Sequence, residues 1–258
     1  MIKTLAKDLR KTSTLFFIAF LVSAASDSSA ADADRIVKDA FDYWRGKASV
    51  STTDMTIHRP SWERRMTIEA WTQGERDSLF VITAPARDKG NGTLKLDEDM
   101  WMYNPKVNRV IKLPPSMMSQ SWQGSDFSNN DLAKSDSLIR DYTYDLAGEE
   151  RHEGKRVSVI NAIPKPNAPV IWGMIRLKIR EDRIVLEQVF YDEDKKPVKI
   201  MTAWDIQKVG DRLFPMKSKM RKADTETEYT LLTYRKLKFL DRLDKQVFTF
   251  GNLKNPKK

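Results

Sequence analysis

No cysteine occurs in this 258-residue chain. Disulfides, thiolate metal centres and thiol nucleophiles are therefore excluded. Histidine is nearly absent too, with only His58 and His152. His152-Glu153 forms a His-Glu pair, but no second His follows at the spacing of a zinc-protease helix. Neither a Gly-x-Ser-x-Gly elbow nor a phosphate-cradling glycine loop is present. The acidic groups Asp97-Glu98-Asp99 and Asp192-Glu193-Asp194 lack the spaced oxygens and distal Glu of a calcium loop, so they are read as solvated turns. A non-enzymatic protein without cofactor or resident metal is expected.

Long apolar runs are lacking as well. The longest, residues 15–25, is too short for the roughly 20 residues a bilayer span needs. It follows the basic residues Lys3, Lys7, Arg10 and Lys11 and precedes the small residues Ser28-Ser29-Ala30. That order is expected of a signal peptide, residues 1–30, cleaved near Ala30 and directing export to the periplasm. Its removal takes four basic and two acidic residues and lowers the formal charge from +9 to +7. The remaining charges are interspersed. They suit solubility and transient contact with an anionic membrane surface, and they form no stripe of the kind nucleic-acid binders carry.

What is present is aromatic bulk, with seven Trp and eleven Phe, in a chain long enough for one sizeable core. A single domain, residues 31–258, is expected. It opens with a helix whose apolar face is Ile36, Val37, Ala40, Phe41 and Trp44, capped at Asp32 or Asp34 and stopped at Gly46. The rest alternates as strands over 51–57, 64–73, 77–83, 93–96, 100–103 and 107–113. Seven more cover 142–146, 156–163, 171–180, 184–191, 198–209, 212–222 and 226–237. Short turn-rich connections imply antiparallel neighbours, and so many strands must curl or close. A weak second helix is expected near Asp131, and a frayed polar tail from Asn252.

Between the two groups of strands, Pro114-Pro115 opens a stretch in which Met117, Met118, Trp122 and Phe127 are spaced by Ser, Gln and Gly. It has neither the strand nor the helix period. Large apolar side chains in such a loop cover something, so residues 117–127 are expected to form a lid over an apolar cavity. The candidate cavity and lid residues are these four with Leu132, Trp101, Tyr103, Ile68, Phe80, Ile82, Trp172 and Met174. Alternation alone leaves open which strand face points inward.

Several pieces together carry a family resemblance. They are Gly74-Glu75-Arg76, Pro85 with Gly92-Thr93-Leu94, Trp101-Met102-Tyr103-Asn104-Pro105, and Gly124-Ser125-Asp126-Phe127-Ser128 with Asp131-Leu132. In this order they resemble the LolA-like outer-membrane lipoprotein-sorting proteins, closest to the branch associated with RND-type or ABC-type envelope exporters. The resemblance implies a mainly β fold: a strongly curved, unclosed antiparallel half-barrel with a helical or loop lid. It also implies a hydrophobic interior that carries acyl chains of lipids or lipoproteins across the periplasm, with an inner-membrane exporter as partner. A protein-binding adaptor or envelope-stress sensor on the same half-barrel is the alternative. Asn129-Asn130 stand where the family pattern carries an aromatic residue.

Overall fold

The computed structural model describes residues 19–134 and 136–256. The expected signal peptide falls largely on residues 1–18, outside them. Helix α1 spans Ala19–Arg45. It runs through Asp32 and Asp34, so neither is a cap, and Asp32 instead pairs with Arg35 at 3.0 Å on the exposed side. Ala33, Val37, Ala40 and Phe41 are buried, at the spacing of one helix face. Gly46 stops the helix with a φ of +63°, where an added Cβ would sit 2.8 Å from the Phe239 ring.

Each of the thirteen expected strands is present. The first six are β1 (Ala48–Arg59), β2 (Trp62–Gln73), β3 (Asp77–Ala84), β4 (Gly92–Leu96), β5 (Asp99–Asn104) and β6 (Arg109–Lys112). The rest are β7 (Tyr142–His152), β8 (Lys155–Pro164), β9 (Met174–Arg180), β10 (Ile184–Tyr191), β11 (Pro197–Val209), β12 (Arg212–Lys222) and β13 (Tyr229–Leu240). β9 starts later than alternation predicts because Gly173 lies against the chain after β10: a Cβ there would be 2.4 Å from the Asp192 carbonyl oxygen.

All strands join one antiparallel sheet in the order β6-β5-β4-β3-β2-β1-β13-β12-β11-β10-β9-β8-β7. The two meanders are thus joined at β1 and β13, from opposite ends of the chain. The sheet curves without closing, and its free edges are β6 and β7. Those edges are consecutive in sequence, so residues 113–141 run from one edge of the half-barrel to the other. That segment contains short helices α2 (Asn129–Ala133) and α3 (Ser137–Asp141).

Both faces of the sheet carry apolar clusters. On one face, α1 packs with Leu138, Tyr142, Tyr144, Ile160, Ala162, Ile175, Leu177 and Ile179. On the other, Trp71, Leu79, Val81, Leu94 and Tyr103 pack with Phe248 and Leu253. The last two belong to a 3-10 turn (Lys245–Phe248) and helix α4 (Phe250–Lys254), so the start of the tail expected to fray from Asn252 is instead helical and docked, with Leu253 fully buried. Among the described residues, no helix is long and apolar enough to cross a membrane.

Candidate functional site

Residues 113–141 roof a cavity of about 350 Å³, within the range of roughly 300–1,000 Å³ common for small-ligand sites. The roof contributes Trp122, Phe127, Leu132 and Leu138, and α1 contributes Phe41 and Trp44. Walls come from Ile68 and Ala70 of β2, Phe80 of β3, Ile175 of β9, Phe190 of β10, Met201 and Ala203 of β11, and Leu232 and Tyr234 of β13. Trp172 stacks obliquely on Phe190 with ring centroids 5.3 Å apart.

Two bulges keep apolar side chains turned inward. Thr52 pairs with Lys236 and Thr53 with Tyr234, leaving Arg235 as the extra residue in β13. The register thereby shifts by one, and Leu232 and Tyr234 line the cavity on one side of the bulge while Leu237 and Phe239 line it on the other. In β10 the shift between Val185 and Glu187 does the same for Val185 ahead of Gln188 and Phe190.

Of the twelve residues named from sequence, Ile68, Phe80, Trp122, Phe127, Leu132 and Trp172 line the cavity. Ile82 is buried beside it with Met55, Ile57, Met66 and Trp122. Met117 and Met118 pack against Met100, Leu113 and Ala133, which fastens the start of the roof to the inner side of β5. Trp101 and Tyr103 alternate with Met100 and Met102 and so face the opposite side, under the C-terminal segment. Met174 alternates with cavity-lining Ile175, which puts it on the outer face of β9.

The roof is ordered by polar contacts that the Gly124–Ser128 stretch supplies. Gly124 turns the chain at a φ of +77°. Buried Ser125 donates to the Trp122 carbonyl at 2.7 Å. Asp126 takes the Arg59 guanidinium at 3.1 Å and the Thr230 hydroxyl at 2.6 Å. Ser128 and Asp131 form a capping box that starts α2. The Trp122 indole N–H donates to Thr93 at 3.0 Å. Asn129 donates to the Met117 carbonyl at 2.9 Å and ties the roof to itself.

Four charged residues of the lining lie together. Arg45, Glu75, Lys95 and Asp136 line the cavity, and the last three also border a second, polar pocket of about 600 Å³. Lys95 reaches Asp136 at 3.1 Å, and Arg45 binds the same carboxylate while lying 3.5 Å from Glu75. Burial pushes the Lys95 ammonium down to about 8, with the Arg45 and Arg140 charges acting the same way. Burial also lowers Arg45 from the usual guanidinium range and raises the cavity-lining Tyr234 phenol to about 12. Among the described residues, no cluster of His, Asp or Glu is arranged to hold a metal ion.

An unclosed, curved antiparallel half-barrel, padded by one helix and roofed by the link between its edges, is the LolA-like fold. The chain belongs to the family described as "-like: Uncharacterized protein", whose model matches residues 74–255. Three solved structures share the fold. A domain described as outer membrane lipoprotein-sorting, from Vibrio parahaemolyticus, is 20% identical, with a TM-score of 0.76 over 88% of this chain and 100% of that one. A DUF1329 family protein from Desulfovibrio piger is 21% identical, with a TM-score of 0.78 over 87% and 99%. The LolA superfamily protein NE2245 from Nitrosomonas europaea is 20% identical, with a TM-score of 0.70 over 85% and 98%. No curated protein matches the sequence.

Proposed function

We propose that this protein is a periplasmic carrier that takes the acyl chains of a lipid or lipoprotein into its roofed cavity and hands them on across the envelope, with an inner-membrane RND- or ABC-type exporter as the donor. One observation carries this reading: an apolar cavity under a segment joining the two free edges of the half-barrel. The lipoprotein-sorting description of the Vibrio domain with the same fold agrees with it.

Each buried methylene is worth about 0.8 kcal/mol, so a chain of roughly fifteen methylenes prefers an apolar site to water by about 12 kcal/mol. Desorption into water is therefore very slow, whereas transfer between a membrane and an apolar cavity is close to balanced. Such a carrier needs shelter and a gate, and no reactive group. Lipid extracted from the protein after expression with export should be detected by mass spectrometry. Ala203→Trp, which fills the cavity, should lower the bound amount. Protein that co-purifies with no acyl compound, or an Ala203→Trp variant with undiminished lipid, would contradict the proposal.

A further inference from the structure

The cluster of Arg45, Lys95 and Asp136 in the cavity lining is unusual for an acyl site. Arg45 and Lys95 have side chains only 10% and 4% exposed, and they converge on one carboxylate, Asp136, itself 4% exposed. The cations belong to the frame, at the end of α1 and on β4, whereas the carboxylate belongs to the roof, between α2 and α3. Taking such charges out of water is costly unless a counter-charge is held close. Glu75 answers Arg45 only from 3.5 Å and is 41% exposed. The remaining charges of the polar pocket are matched by their own partners: Arg76 with Asp97, Arg140 with Glu98, and Lys112 with Asp99.

Resting on the carrier reading above, we propose that Arg45 and Lys95 form the headgroup subsite for an anionic amphiphile, bearing a carboxylate or phosphate, and that Asp136 occupies this subsite as a tethered anion in the empty protein. The geometry fits, because both cations line the apolar cavity and Lys95 also borders the polar pocket. A chain lying in the cavity thus places its polar end against them. The incoming anion takes over the charge-assisted hydrogen bonds that Asp136 makes. Freed from Lys95 and Arg45, the α2–α3 link loses this hold on the frame. Headgroup capture and loosening of the roof are then one event.

Binding of palmitate, hexadecyl phosphate and hexadecanol to the delipidated protein tests this, since the three share a chain length and differ at the head. Palmitate or hexadecyl phosphate should bind at least about tenfold tighter than hexadecanol, as expected for charge-assisted contacts, and the tighter of the two names the headgroup chemistry. Lys95→Gln should reduce that preference. Asp136→Asn, which removes the competing anion, should tighten binding of both anions and leave hexadecanol unchanged; damage to the fold alone would weaken all three. Hexadecanol binding as tightly as the anions overturns the headgroup subsite and leaves the carrier standing. Failure of all three to bind overturns both.

Discussion

At the scale of single residues, Trp122 joins the roof to the frame. Its side chain is 6% exposed, its ring meets Phe80 edge-on at 5.7 Å, and its indole N–H donates to Thr93. Trp122→Ala should cost about 3–5 kcal/mol, as loss of a large buried ring does. Trp122→Phe should keep most of the packing and lose about 1 kcal/mol with the hydrogen bond. Urea unfolding of both variants checks the ordering. Lys95 makes a pH prediction. Folding lowers it from 10.5 to about 8, so between those values the unfolded chain binds more protons at this group. The contribution of Lys95 to stability therefore rises with pH across that window, and below about 8 its whole cost is present. Wild-type Tm should climb relative to Lys95→Met from about pH 8 to 10.5; a constant difference would count against the lowered value.

The same residues mark what the sequence left hidden. In β5 both faces are apolar, Met100 and Met102 toward the roof and Trp101 and Tyr103 toward the C-terminal segment. Period-2 alternation carries no sign that separates inside from outside in such a strand. Arg45, Lys95 and Asp136 are far apart in the chain and read as ordinary solvated charges until the fold brings them together.

At the scale of elements, strand positions were legible because alternation and turn residues both mark them, down to the break at Pro114-Pro115. Bulges were not. The extra residue Arg235 interrupts the pattern of β13, and without the register against β1 it cannot be known that Tyr234 and Leu237 share a face. The C-terminal tail was misread for a related reason. Leu253 is one apolar residue among polar ones, and its burial depends on the outer face of β3 and β4 being apolar as well. An added Cβ at Gly92 of β4 would meet Leu253 at 2.6 Å, which shows how closely α4 is seated. Leu253→Ala should therefore destabilise by about 2–5 kcal/mol rather than the near-zero change of a frayed end. Thermal unfolding of the variant distinguishes the two.

For the molecule as a whole, the open side of the half-barrel is the weak point, and the roof must close it without becoming part of the sheet. Three roof carboxylates spaced five residues apart do so by reaching three different walls. Asp126 meets Arg59 of β1, Asp131 meets Lys199 of β11 at 2.7 Å, and Asp136 meets Lys95 of β4. The frame is held instead by backbone ladders running across β1 and β13. Two layers of stability follow, a releasable roof on a persistent sheet. Asp126→Asn with Asp131→Asn should therefore speed amide exchange across residues 122–133 by at least about tenfold, the factor that corresponds to about 1.4 kcal/mol of opening free energy. Exchange in β1 and β13 should stay near its wild-type rate. If those strands accelerate by the same factor, roof and sheet open as one cooperative unit, and the cavity has no gate separate from unfolding.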